Sequence, residues 1–220
     1  MDLGRSFSYI FDDEDWVTKV LLTALISIIP ILNLAIYGWI IELMRNMLDG
    51  RENPLPYWDN FGQKFTDGLM FLLAGLIYNV FIVLLACVFG VIGSLMDGRG
   101  AEVILSLAAC VMVVFVLVYA LIANAGLFIG MVRYTRNPTF SVYLAIGENL
   151  RLALANAGIL AMLVLFSVVV SLILAVFGWI PCIGWLATLA LGTPVYGHLL
   201  GQAAILMVGQ SRAKAKRGMI

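Results

Sequence analysis

Two long apolar runs, residues 69–95 and 103–132, stand almost end to end, parted only by the turn MDGRGAE. A helix rises about 1.5 Å per residue and a bilayer's hydrocarbon core is about 30 Å thick, so either run crosses it with some tilt. In water, helices apolar on every face would have to be buried all round. The chain cannot do that: 63% of its residues are hydrophobic and 12% charged, against roughly 25% charged in a soluble domain. The bilayer must therefore be most of its solvent. Two further runs, 153–177 and 185–208, flank the break GWIPCIG. The expected fold is all-α, a polytopic helical bundle forming a single membrane domain over residues 1–220.

The first third decides how many spans there are. Residues 14–29 precede Pro30 and residues 32–48 follow it; at about 1.5 Å per residue each piece falls short of a full crossing. Proline removes a backbone donor and disfavours helix at the preceding residue, and Asn33 is compatible with a turn. The segment is either one kinked helix or two short ones. IIPILNLAIYGW resembles WIPCIGWLATLALGTPVYGH, with Ile-Pro, then Asn33 or Gly184, then Tyr37-Gly38 or Tyr196-Gly197. The analogy favours a hairpin, giving six spans in three hairpins, about 14–48, 69–132 and 153–208.

Charge fits that count. With six spans and a cytoplasmic N-terminus, Arg5, Lys19, Arg45, Arg51, Lys64, Arg133, Arg136, Arg151, Arg212, Lys214, Lys216 and Arg217 lie inside, and Arg99 lies outside. This obeys the positive-inside rule and makes both termini cytoplasmic. A five-span chain would move Arg5 and Lys19 outside. The first apolar run follows the acids DDED, not a basic region, so no cleavable signal peptide is expected. The basic tail, 210–220, suits anionic headgroups. A formal net charge of zero gives no reason to expect a nucleic-acid partner.

Each hairpin is preceded by an aromatic and polar segment, about 6–13, 55–68 and 139–150. In the middle one Trp58, Phe61, Phe65 and Leu69 recur at helical spacing, with Asp59, Asn60, Gln63, Lys64 and Asp67 between them. This pattern predicts an amphipathic helix lying in the membrane interface, anchored by Tyr57, Trp58, Phe61 and Phe65. In the first segment Asp12 or Asp13 is the expected N-cap of a helix starting near Glu14. The run of acids from Asp12 to Asp15 reads as a cap and solvated surface.

The stretches FSYIFDDEDWVTKVL, IIPILNLAIYGW, LPYWDNFGQKFTDGL, WIPCIG and GHLLGQA together resemble the prokaryotic membrane family catalogued as domain of unknown function 4013. Leu-Pro-x-Trp-Asp at Leu55 to Asp59 is the most specific of these motifs. The resemblance implies a multi-span protein of the prokaryotic cell (inner) membrane. It assigns no activity and transfers no catalytic residue.

Chemistry-bearing positions are few. Cys87, Cys110 and Cys182 form no CxxC pair and have no histidine near in sequence, so they read as packing residues and no metal or other cofactor is expected. No phosphate-binding loop, HExxH or GxSxG occurs. Asn79, Asn124, Asn156, His198 and Gln202 fall within apolar runs and could line a polar cavity; His198 and Gln202, at i and i+4, share a face. The competing reading is interhelical hydrogen bonding that fixes packing. Glu42 is expected to pair with Arg45 three residues on. Gly126-x-x-x-Gly130 and Gly197-x-x-x-Gly201 are expected to be close-packing faces, within the bundle in preference to a dimer. The chain is thus expected to be a non-enzymatic scaffold or accessory subunit, in contact with membrane lipids and with other membrane subunits or itself. The alternative is a small transporter with a polar cavity near Asn79, Asn124 and His198.

Overall fold

The computed structural model describes residues 1–96, 99–179 and 183–217, and every regular element among them is helical. A short helix α1 (Leu3–Ser8) is capped by Asp2, whose Oδ1 accepts from Arg5 N at 3.0 Å, and a 3₁₀ turn (Tyr9–Asp12) follows. Then come α2 (Trp16–Ile28), α3 (Leu34–Leu48), α4 (Phe61–Leu95), α5 (Arg99–Arg136), α6 (Ser141–Leu144), α7 (Ile146–Ala155), α8 (Ala157–Gly178) and α9 (Ile183–Arg217).

Among the described residues, four helices are long and apolar enough to cross a membrane: α4, the Leu105–Arg136 part of α5, α8, and the Gly184–Gln210 part of α9. The first third supplies two shorter helices. α2 has 13 residues and α3 has 15, about 20 and 22 Å at 1.5 Å per residue. Between them Ile29 is extended and Ile31 has φ 73°, a conformation β-branched residues avoid. Pro30 therefore ends α2, and the chain restarts as a separate helix. The second proline break, at Pro181 and Cys182, lies outside the described residues.

The segment expected to form a separate interfacial helix, about 55–68, does not do so. Residues 54–60 are irregular, and Phe61 opens a helix that continues unbroken for 35 residues. Pro54, Pro56 and a left-handed Asn60 (φ 46°) hold off the helix until Phe61; such a φ is least costly for asparagine among non-glycine residues. After that nothing breaks the i→i−4 ladder before Leu95. The polar positions are also placed differently from the amphipathic expectation. Lys64 and Asp67 are buried, while Phe61 and Phe65 are half-buried.

The core sits in a head built around α3, whose Trp39, Ile41, Leu43 and Met44 are fully buried. α3 is flanked by the first half of α4 and the middle of α9. Glycines set both contacts. A Cβ at Gly38 would fall on the Lys64 carbonyl, and one at Gly68 on the Leu34 carbonyl, so α3 and α4 touch backbone to backbone. On the other side Gly197 receives Leu43 and Gly201 receives Met47. The second half of α5 completes the head, with Gly126 against Leu150 and Tyr78, and Gly130 against Tyr143 and Asn149. Both GxxxG faces are thus used inside the chain.

Beyond the head, the later half of α4 and the earlier half of α5 form a two-helix arm. Phe81 packs on Phe115 and Tyr119 across it, while Val83, Leu84, Val88, Val111, Val114 and Leu117 are exposed. Cys87 and Cys110 are exposed on the same arm.

Candidate interaction sites in the head and clefts

The Leu-Pro-x-Trp-Asp motif is a strap across the head. Pro54 and Pro56 have no backbone donor, and the carbonyls along this stretch are taken by side chains from neighbouring helices. Asn46 Nδ2 donates to Pro54 O (2.9 Å), Lys19 Nζ to Leu55 O (3.1 Å) and Trp39 Nε1 to Pro56 O (3.1 Å). Lys19, 3% exposed, also pairs with the buried Asp13 at 2.6 Å and lies 3.5 Å above the Tyr57 ring. Tyr57 is exposed and its hydroxyl donates to Asp15 at 2.8 Å; that bond is the main cause pushing its hydroxyl pKa up. Trp58 points inward. Its Nε1 donates to Lys19 O and Thr23 Oγ1 (3.2 and 3.0 Å) and its ring stacks on Trp39 at 6.2 Å. Trp58 therefore ties the strap to α2. Asp13, expected at a solvated surface, is the buried counter-ion. Helix α2 begins at Trp16, and Asp13 Oδ1 accepts from Asp15 N at 2.9 Å.

A second set of charges joins α3 to α4. Glu42 pairs with the buried Lys64 at 2.7 Å, and Lys64 also reaches Asp59. Arg45 lies 3.8 Å from the buried Asp67. The expected Glu42–Arg45 pair is replaced by these two, because the close approach at Gly38 and Gly68 lays α4 alongside α3. Asp67 Oδ1 accepts from Tyr134 Oη (2.8 Å) and Gln63 Nε2 (2.8 Å). Tyr143 stacks on Tyr134 at 5.2 Å, and its fully buried hydroxyl has no hydrogen-bond partner among the described residues. Burial is the chief cause raising its pKa. Above these pairs a polar cleft of about 550 Å³ is lined by Glu42, Arg45, Asn46, Arg51, Asn60 and Gln63.

These two tyrosines should respond oppositely. Tyr134→Phe removes a hydrogen bond to a buried carboxylate and is expected to destabilise by about 1.5–3 kcal/mol. Tyr143→Phe removes an unpartnered buried hydroxyl and should be neutral or slightly stabilising. Thermal denaturation of the two variants in the same detergent checks the pair.

At the depth of the spans lie two further spaces. One, of about 640 Å³, opens between the α2–α3 break and helices α8 and α9, with Ser27, Asn33, Tyr37, Thr188, Thr193 and Tyr196 in its wall. The other separates α5 from α8 as two adjoining clefts of about 470 and 550 Å³. Their shared wall is Leu121, Ala125, Leu160 and Val164, and Asn124 lines the first.

The structure does not gather the five polar residues expected to share a cavity. Asn79, Asn124 and Asn156 each donate a side-chain amide to the carbonyl one turn back, at Gly75, Ala120 and Leu152 (2.8 Å each). An asparagine in an apolar helix meets part of its hydrogen-bonding need in this way without a cavity. His198 and Gln202 do share a face, and that face receives the N-terminus. Ser6 Oγ and Gln202 Nε2 each lie 3.0 Å from His198 Nδ1, Tyr9 stacks on the ring at 4.2 Å, and Asp2 N donates to Gln202 Oε1 at 2.6 Å. Asp2, Ser6 and Tyr9 thus dock the N-terminal segment on α9. Burial raises the pKa of the Tyr9 hydroxyl, which donates to Pro194 O at 2.8 Å. Sequence reasoning missed the strap's role and the two cross-helix ion pairs. Each ion pair joins residues on different helices, Glu42 with Lys64 and Arg45 with Asp67, so no spacing within one helix signals them.

A charged head closed by a strap, with four apolar helices long enough to cross a bilayer, defines an all-helical membrane protein. The model of the family described as protein of unknown function (DUF4013) matches residues 21–183, and the chain belongs to that family. The matched stretch runs from α2 to the first residue of α9 and includes the strap. No curated protein and no solved structure matches the chain.

Proposed function

We propose that this protein is a non-enzymatic scaffold or accessory subunit of a complex in the prokaryotic cell membrane, with its head and both termini cytoplasmic. The observation that carries this reading is the α4–α5 arm, which extends apolar faces beyond a head whose buried charges are paired within the chain. A rigid head and a projecting apolar hairpin suit a subunit that is held in place by helix packing. In this reading α2 and α3 complete three hairpins, and the strap lies at the cytoplasmic surface beside Arg45, Arg51 and Arg136. Isolation from native membranes in mild detergent is expected to yield a stoichiometric membrane partner. Recovery of this polypeptide alone, at native expression and from several detergents, would overturn the reading.

The space at the α2–α3 break supports a second reading, a small transporter, because interrupted helices frame transport sites and this one is lined by hydroxyl and amide groups. Its site would be there, away from Asn79 and His198. Solute flux in liposomes that is lost in Tyr37→Phe with Tyr196→Phe would favour it; no flux, or flux indifferent to both changes, would reject it.

A further inference from the structure

Asn124 occupies an unusual place. It is on the apolar helix α5, 12 residues before Arg136, which is about 18 Å along the axis. It is exposed, between exposed Leu121 and Ile122 on one side and buried Leu127 and Phe128 on the other. Its Nδ2 donates to Ala120 O at 2.8 Å. A carboxamide offers two N–H donors and an acceptor oxygen, so one donor and the oxygen have no partner among the described residues. In hydrocarbon no solvent can meet that need, and polar side chains at such depth face protein or water.

The surroundings point to another helix. Cys110, Leu117 and Asn124 recur every seven residues, with Val113, Val114 and Leu121 between them, and all six are exposed. A seven-residue repeat keeps one seam facing a second helix in left-handed packing. Ala120 lies beside Asn124, and small residues allow helices to approach closely. Leu117, Ala120, Leu121 and Asn124 form one wall of the cleft of about 470 Å³ whose other wall is α8, so a gap separates this face from α8.

We propose that a second copy of this chain docks on the Asn124 face of α5, forming a parallel two-fold dimer. The remaining donor and acceptor of Asn124 are self-complementary. Across a two-fold axis along the membrane normal, each Oδ1 accepts from the partner copy's Nδ2. A paired asparagine at such a seam fixes register, and two-fold contacts bring equivalent residues together. The axis therefore places Cys110 opposite its own copy, two repeats from Asn124. The contact ends at Asn124, because Phe128 is already buried within its own head. This goes beyond the accessory-subunit reading, since the dimer needs no other polypeptide.

Cys110 supplies the test. A full-length chain keeping it alone (Cys87→Ser, Cys182→Ser) is oxidised in native membranes and run without reductant. The expected product is a disulfide-linked dimer, reduced about tenfold by Asn124→Leu. The chain keeping Cys87 alone should cross-link weakly. Leucine suits an exposed apolar helix position, and unchanged thermal stability of Asn124→Leu shows that the fold survives. Four results would each overturn the proposal. These are no dimer through Cys110, equal cross-linking through Cys87, cross-linking indifferent to Asn124→Leu, and a Cys110 adduct with a different polypeptide.

Discussion

Gly68→Ala is expected to abolish most of the folded protein. The added Cβ would sit on the Leu34 carbonyl, and Gly38→Ala would meet the Lys64 carbonyl in the same way. A flexible side chain could move aside, but here the obstacle is helix backbone, so α3 and α4 must separate. Overpacking a core costs about 1–3 kcal/mol and occasionally more, and this contact lies at the upper end because separation also pulls Lys64 from Glu42 and Asp67 from Arg45. Gly90→Ala on the arm is the matched control. Nothing lies within 4 Å of its added Cβ, and alanine in a helix interior gains about 0.5–1 kcal/mol over glycine. Fluorescence-detected size exclusion after a heating series should show Gly68→Ala aggregating at temperatures where Gly90→Ala matches or outlasts the parent. Equal melting of Gly68→Ala and the parent would mean that α3 and α4 do not touch this closely.

The second large effect is expected at Lys19. Lys19→Met keeps the length of the side chain and removes its charge, leaving Asp13 buried without a counter-ion and Leu55 O without its donor. Removing one member of a buried ion pair costs about 3–5 kcal/mol. The double variant Lys19→Met with Asp13→Asn, which leaves no orphan charge, should recover a large part of that loss. The strap adds a local readout. With Lys19 gone, residues 54–58 lose a central anchor, so a cysteine placed at Tyr57 should become more mobile by spin-label line shape. A double variant no better than Lys19→Met would show that the pair contributes little beyond its separate members.

Much of this protein was legible in its sequence. The runs 69–95 and 103–132 could only be membrane-depth helices, and Pro30 had to interrupt the first third. Of the five motifs that carried the family resemblance, IIPILNLAIYGW and LPYWDNFGQKFTDGL lie within the stretch that the family model matches and WIPCIG ends one residue past it, while GHLLGQA and all of FSYIFDDEDWVTKVL but Leu21 lie outside it. What the sequence blurred was the facing of polar residues in the first turns of α4. Periodicity placed Trp58, Phe61 and Phe65 on a stripe and Lys64 and Asp67 off it, and the usual inference sends charges to water. The inference inverted because α3 supplies Glu42 and Arg45 as buried partners, and because Gly38 and Gly68 let the backbones close far enough for those charges to meet. Asn79, Asn124 and Asn156 looked like one site on hydropathy alone, yet Asn79 and Asn124 turn back on their own helices and Asn156, at the α7–α8 junction, turns back on α7.

The sequence by itself determined the solvent, the helical class and the interruption at Pro30, because those follow from local chemistry: apolar length, low charge content and proline geometry. Only the tertiary structure decided which buried charges pair, which face of α9 receives the N-terminal segment, and that the proline-flanked polar stretch is a strap closing the head. Those outcomes depend on contacts between residues far apart in the chain, and two glycines on different helices set the distance at which they form.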